Sequence, residues 1–173
     1  MWIVVGLLSP LAILLHELGH ALVATLRGCE HVALHWQYVS GHCTDGSRLG
    51  DAAQLGAGPL ASWVLVLAGW LATRRRPRPA AFMLAVCCAG RASIGIEAFV
   101  VSAPTDETEL ARLAGIPSAA LVVPQLVLMV ATFVWAWRFA RRHQIRREVA
   151  ASVLVALASG ALYMFVIGPL ALP

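Results

Sequence analysis

His16-Glu17-Leu18-Gly19-His20 is the stretch of this chain whose residue types and spacing can do chemistry. On a helix, residues i and i+4 share a face, so the two imidazoles can reach one metal ion. Zinc accepts imidazole nitrogen readily, and its catalytic sites take three protein ligands plus a water. Glu17 falls on an adjacent face, where it can act as general base on that water. All three residues stand inside an apolar run, where ionisable groups are costly and usually functional. A polar patch used for packing or proton transfer is the plainer alternative.

The elements that must carry these residues are membrane helices. Of 173 residues, 60% are hydrophobic and only 13% charged, with mean hydropathy +0.77. Soluble domains carry about 45–50% apolar and about 25% charged residues, and disorder needs low hydrophobicity. Both classes are therefore excluded. A crossing needs roughly 20 mostly apolar residues. Five segments qualify, at about 2–26, 55–73, 80–103, 118–138 and 149–172. The expected fold is an all-α polytopic membrane protein of about five transmembrane helices. It reads as a single membrane domain over 1–173, with no repeat and no room for a second soluble domain. No Lys or Arg precedes the long first run, so it reads as a membrane helix and not as a cleaved leader.

All 13 basic residues are arginine, and they sort by loop. Arg74, Arg75, Arg76 and Arg78 follow the second segment; Arg138, Arg141, Arg142, Arg146 and Arg147 follow the fourth. The other loops hold only Arg27, Arg48 and Arg112. Nine against three is a positive-inside bias. It places the N-terminus and both Arg-rich turns in the cytoplasm, and loop 27–54 outside. The basic charge is thus mostly a topology signal. The basic loops are short and lack interleaved aromatics, so nucleic acid is not an expected partner.

Within loop 27–54, Val32, Leu34, Trp36 and Tyr38 alternate with polar residues, the period of a strand. Ser40-Gly41 and Asp45-Gly46 are turn signals. A small β-hairpin between helices 1 and 2 is therefore expected, with 31–39 as one strand. An outward-facing loop would allow Cys29 and Cys43 to pair. His31 and His35 are about 13 Å apart along a strand, too far to share an ion. Cys87 and Cys88 read as small core residues.

Two carboxylates could complete a zinc site. Helices 1 and 3 cross in the same direction, so helix 3 ends on the side of His16 and His20. His20 lies roughly 10 Å below the Arg27 boundary. Glu97 lies about 8–9 Å inside the end of helix 3, a good match in depth. Asp106 follows Pro104, and the chain would have to fold inward to bring it to the metal. Asp106 also reads as an acidic helix start, with Thr105 or Asp106 capping Glu107-Thr108-Glu109. Glu97 and Arg91 can equally be polar contacts between helices.

Three motifs carry a family resemblance. His16-Glu17-Leu18-Gly19-His20-Ala21-Leu22 is similar to the first motif of the site-2 protease family, intramembrane zinc metalloproteases of the M50 type. Gly56-Ala57-Gly58-Pro59-Leu60-Ala61-Ser62 resembles its Gly-Pro motif, where members often carry Asn at the position of Ser62. Pro104-Thr105-Asp106 resembles the segment that bears the third ligand, an Asp. Here the usual upstream Asn and paired prolines are absent, and Glu107 stands where Gly is common. The resemblance covers roughly residues 1–115, a metalloprotease-like core; 116–173 would add two further transmembrane helices.

The resemblance implies one zinc per chain, held by His16, His20 and Asp106, with Glu17 the catalytic base; depth along helix 3 keeps Glu97 as the alternative third ligand. It implies a multi-pass protease of the cell membrane that cuts membrane protein or peptide substrates in or near their transmembrane segments. No sensory domain is expected, so regulation would come from a membrane partner. A non-proteolytic membrane protein with a structural or transport metal site is the rival. In family members of known orientation the loop after the zinc helix tends to be cytoplasmic; the arginine count here places it outside.

Overall fold

Helix α1 (Trp2–Leu26) is apolar along its length, with Pro10 inside it. Its buried side chains are Leu8, Ala12, Ile13, His16, Glu17, His20 and Ala24. Most recur every four residues, so they form one stripe. Leu7, Leu11, Leu18, Leu22 and Leu26 are exposed on the opposite side. The ionisable residues thus face inward and the leucines outward, the arrangement of a helix solvated by lipid. The computed structural model describes residues 2–35, 38–75, 82, 86–90 and 105–172.

The chain leaves α1 through Gly28, whose φ of 73° lies in the left-handed region that glycine adopts without cost. Strands β1 (Glu30–Leu34) and β2 (Val39–His42) then pair antiparallel, Leu34 opposite Val39. The hairpin is present, but the expected single strand over 31–39 is not. The chain reverses between Leu34 and Val39, and Ser40 and Gly41 lie inside β2. His35 N–H donates to the Tyr38 carbonyl at 2.9 Å, and the two rings stack. An alternation that continues across a tight reversal looks like one strand. The register slips between Glu30 and Ala33, and His31 has a φ of 54°, which marks a bulge. The disulfide Cys29–Cys43 closes the base of the hairpin.

Helix α2 (Arg48–Arg75) begins earlier than its apolar run suggests, since its first turns carry Arg48, Asp51 and Gln54. After α2 come α3 (Asp106–Ala114), α4 (Ala119–Arg142) and α5 (Arg146–Leu162). A π-helical turn (Tyr163–Ile167) and α6 (Gly168–Ala171) complete the last crossing. Four stretches of described residues are long and apolar enough to cross a membrane: Gly6–Leu26, Arg48–Arg74, Ala119–Arg142 and Arg146–Ala171. The third expected segment, 80–103, falls mostly outside the described residues. Of it, Phe82, Val86, Cys88 and Ala89 are buried, the first two against Leu8, Ala136 and Ala156, the others against Ala12 and Val66. The architecture is an all-α membrane bundle with a two-stranded sheet between its first two helices.

Small residues let these helices approach, as is usual where lipid supplies no hydrophobic drive between them. A Cβ on Gly19 would lie 2.7 Å from the Ala57 carbonyl oxygen, so α1 and α2 touch through backbone. Gly160 of α5 leaves similar room for Ser9 of α1.

Candidate metal centre

The α1–α2 contact sets the two imidazoles. His20 Nδ1 donates to the Gln54 carbonyl oxygen at 2.7 Å. A carbonyl can only accept, so this bond fixes the proton on Nδ1 and leaves Nε2 as the lone-pair nitrogen of the neutral ring. His16 Nδ1 lies 3.0 Å from Ser62 Oγ, a buried contact that orients the second ring the same way. Such outer partners set the tautomer and angle of metal-ligating histidines.

Both Nε2 atoms converge on Asp106. Its Oδ2 is 3.0 Å from His16 Nε2 and 3.2 Å from His20 Nε2. One ligand atom from each of the three residues lies within 4.8 Å of the others, and no second group of this kind occurs among the described residues. Asp106 is also the first residue of α3. Thr105 is the N-cap and forms a reciprocal capping box with Thr108. The helix-start reading and the ligand reading of Asp106 therefore hold together: the cap fixes where α3 begins, and that start aims the carboxylate at the histidines. Glu97 and Arg91 lie outside the described residues.

Gly58 tests whether a metal fits. A Cβ built there would stand 2.2 Å from His20 Nε2 and 2.6 Å from His16 Nε2. The shorter is close to the Zn–N distance of about 2.0–2.1 Å, and the longer exceeds it by about 0.5 Å. The glycine leaves open the space an ion would fill, and two neutral imidazoles with one carboxylate are a donor set that suits zinc.

The centre opens into a cavity of about 770 Å³. Glu17 lines it with the histidines and is itself 2% exposed. Tyr38, Val39, Gly41 and His42 line it from the hairpin, so β2 is the strand beside the site. His31 and His35 do not line it; His35 Nε2 instead lies 2.8 Å from Ser40 Oγ.

Several supporting residues carried no sequence signal. Arg27 holds the approach to the cavity together: Nη2 donates to Asp45 at 2.7 Å and Asp51 at 2.9 Å, and Nη1 to the Gln54 side chain at 2.8 Å. The Arg27 guanidinium lowers the Asp45 pKa. Gln54 thus meets Arg27 through its side chain and His20 through its backbone. The Gly-Pro motif pointed to Gly58 and Ser62 only by resemblance, whereas the contacts give each a reason.

Comparison with curated proteins and with solved structures found no match. A family profile described as Peptidase M50B-like matches residues 2–100. That span holds His16, Glu17, His20, Gly58 and Ser62, and stops short of Asp106. The matched motif, the bundle of membrane-crossing helices and the inward-facing cluster of His16, His20 and Asp106 agree: the chain belongs to the M50B-like family of metallopeptidases.

Proposed function

We propose that this protein is a zinc endopeptidase of the cell membrane, with one zinc per chain on His16, His20 and Asp106, cutting membrane protein substrates in or near their transmembrane segments. The convergence of His16 Nε2, His20 Nε2 and Asp106 Oδ2 on the space left by Gly58 carries this reading. When bound, the ion would polarise the scissile carbonyl and acidify a water.

Glu17 takes the proton of the attacking water and delivers it to the leaving amide nitrogen. Its burial beside the cavity keeps bulk water from competing for that proton. The Gln54 carbonyl holds His20 in one tautomer and the Ser62 hydroxyl positions the His16 ring, so both imidazoles keep their orientation. A peptide bond in a substrate helix is hydrogen-bonded and hidden, so the substrate must unwind first. The outer edge of β2 is unpaired among the described residues and borders the cavity. It can hold the unwound segment by main-chain hydrogen bonds. Regulation, including any part in a proteolytic signalling cascade, would come through a membrane partner. The rival reading, a structural or transport metal site, gives Glu17 no task.

The test is Glu17→Gln. It should keep stoichiometric zinc and lose at least about a hundredfold in cleavage of a membrane-spanning reporter. Cleavage at the wild-type rate would reject the mechanism.

A further inference from the structure

The end of the bundle opposite the metal centre carries a second, differently built recess. A cavity of about 600 Å³ is lined by Trp70, Arg74, Trp135, Arg138, Arg142 and His143. It brings one Arg-rich turn, after α2, beside the other, after α4. No acidic side chain is among the described lining residues, and none of these arginines is paired with a carboxylate among the described residues. Arg74 stacks over the Trp70 ring at 3.9 Å, which holds it at the mouth.

The recess continues along the membrane face of the bundle. A second cavity of about 380 Å³ shares Trp70, Ala131 and Trp135 with the first. Its further walls are Trp63, Val66, Leu67 and Leu128, all apolar, with Thr132 the one hydroxyl. Thr132 bonds its hydroxyl back to the Leu128 carbonyl and offers nothing to a ligand. One end is therefore cationic and the other a slot for hydrocarbon, between α2 and α4.

We infer that this groove seats one anionic phospholipid, its phosphate on Arg74, Arg138 and Arg142 and one acyl chain along Trp63, Leu67 and Leu128. Unpaired guanidiniums recognise phosphate by charge and by paired N–H donors. Basic pockets between membrane helices on the cytoplasmic side take anionic headgroups, and the arginine bias assigns this end to that side. A zwitterionic lipid fits the slot but repels the cluster with its own cation. The inference stands apart from the peptidase reading, since the groove shares no residue with the metal centre.

Native mass spectrometry of the full chain in detergent tests this, with phosphatidylglycerol and phosphatidylcholine of identical acyl chains. One phosphatidylglycerol should remain bound per chain, with phosphatidylcholine retained at least about tenfold less. Arg138→Gln combined with Arg142→Gln should remove that preference. Ala131→Trp fills the slot without changing charge, and should lower retention of phosphatidylglycerol to a similar degree. Equal retention of both lipids by the wild type would overturn the proposal without recourse to any variant. Displacement of the lipid by millimolar inorganic phosphate would also overturn it, since a bare phosphate site needs no acyl slot. So would full retention by Ala131→Trp, which would mean that surface charge alone attracts the lipid.

Discussion

The Gln125 side-chain amide donates to the Glu107 carboxylate at 3.0 Å, and both groups are buried. This bond ties α4 to the residue that follows Asp106, so the start of α3 is held from the far side as well as by its own cap. Gln125→Leu leaves the Glu107 carboxylate without this donor. The expected cost is about 1–3 kcal/mol, the usual cost of stripping a partner from a buried polar group. Glu107→Leu with Gln125→Leu should be less costly than the sum of the single changes. Thermal unfolding of the four proteins measures the coupling, and strict additivity would deny that the pair matters.

Gly58→Ala should abolish metal binding while the helices stay intact. The added methyl would sit within 2.2–2.6 Å of both Nε2 atoms. Metal analysis after purification, with circular dichroism as the folding check, decides it. A full equivalent of zinc in the variant would show that the ion lies elsewhere.

Ser62→Ala should weaken metal affinity by about 10–100-fold, the usual loss when a histidine ligand's outer partner is removed. Competition with a zinc chelator reads the change. Unchanged affinity would reduce the Ser62–His16 contact to packing.

Arg27→Ala should loosen the hairpin and the first turn of α2 together, because one guanidinium serves Asp45, Asp51 and Gln54. Faster amide exchange over residues 38–54 is the expected readout. A depressed carboxyl pKa gives stability that is complete above the ordinary range near pH 4 and lost as pH falls through the folded value. The wild-type protection of this loop should therefore be the same at pH 6 and pH 8, after correction for intrinsic exchange. A marked loss at pH 6 would assign the tie to a different group.

Loop 27–54 should face the oxidising side of the membrane. The arginine bias and the Cys29–Cys43 bond agree on this. An impermeant maleimide added to intact cells should label Ser47→Cys and spare His143→Cys. The reverse pattern would invert the topology.

What could be read from the sequence divides by range. His16 and His20 are one helical turn apart, so periodicity alone placed them on one face. The lipid-facing leucines and the arginine-rich turns are likewise local signals. Asp106 came forward only as a carboxylate on the correct side, with a family likeness; depth along a straight helix favours Glu97, which lies outside the described residues, and such a measure takes no account of how a capped helix start can turn a side chain inward. Gln54, Arg27 and the Glu107–Gln125 pair join segments far apart in sequence and leave no pattern along the chain. The hairpin turn was misplaced for a related reason: side-chain alternation is blind to a reversal that preserves it.

His16 and Asp106 stand 90 positions apart in the chain and 3.0 Å apart in space. Chain order therefore acts as a clock during synthesis. The ribosome delivers both imidazoles first, then Gln54, Gly58 and Ser62 to frame them. On the proposed three-ligand reading the donor set stays short of a carboxylate until the stretch between α2 and α3 has been made. On that reading a chain stalled before Asp106 has two imidazoles and no carboxylate to complete the set.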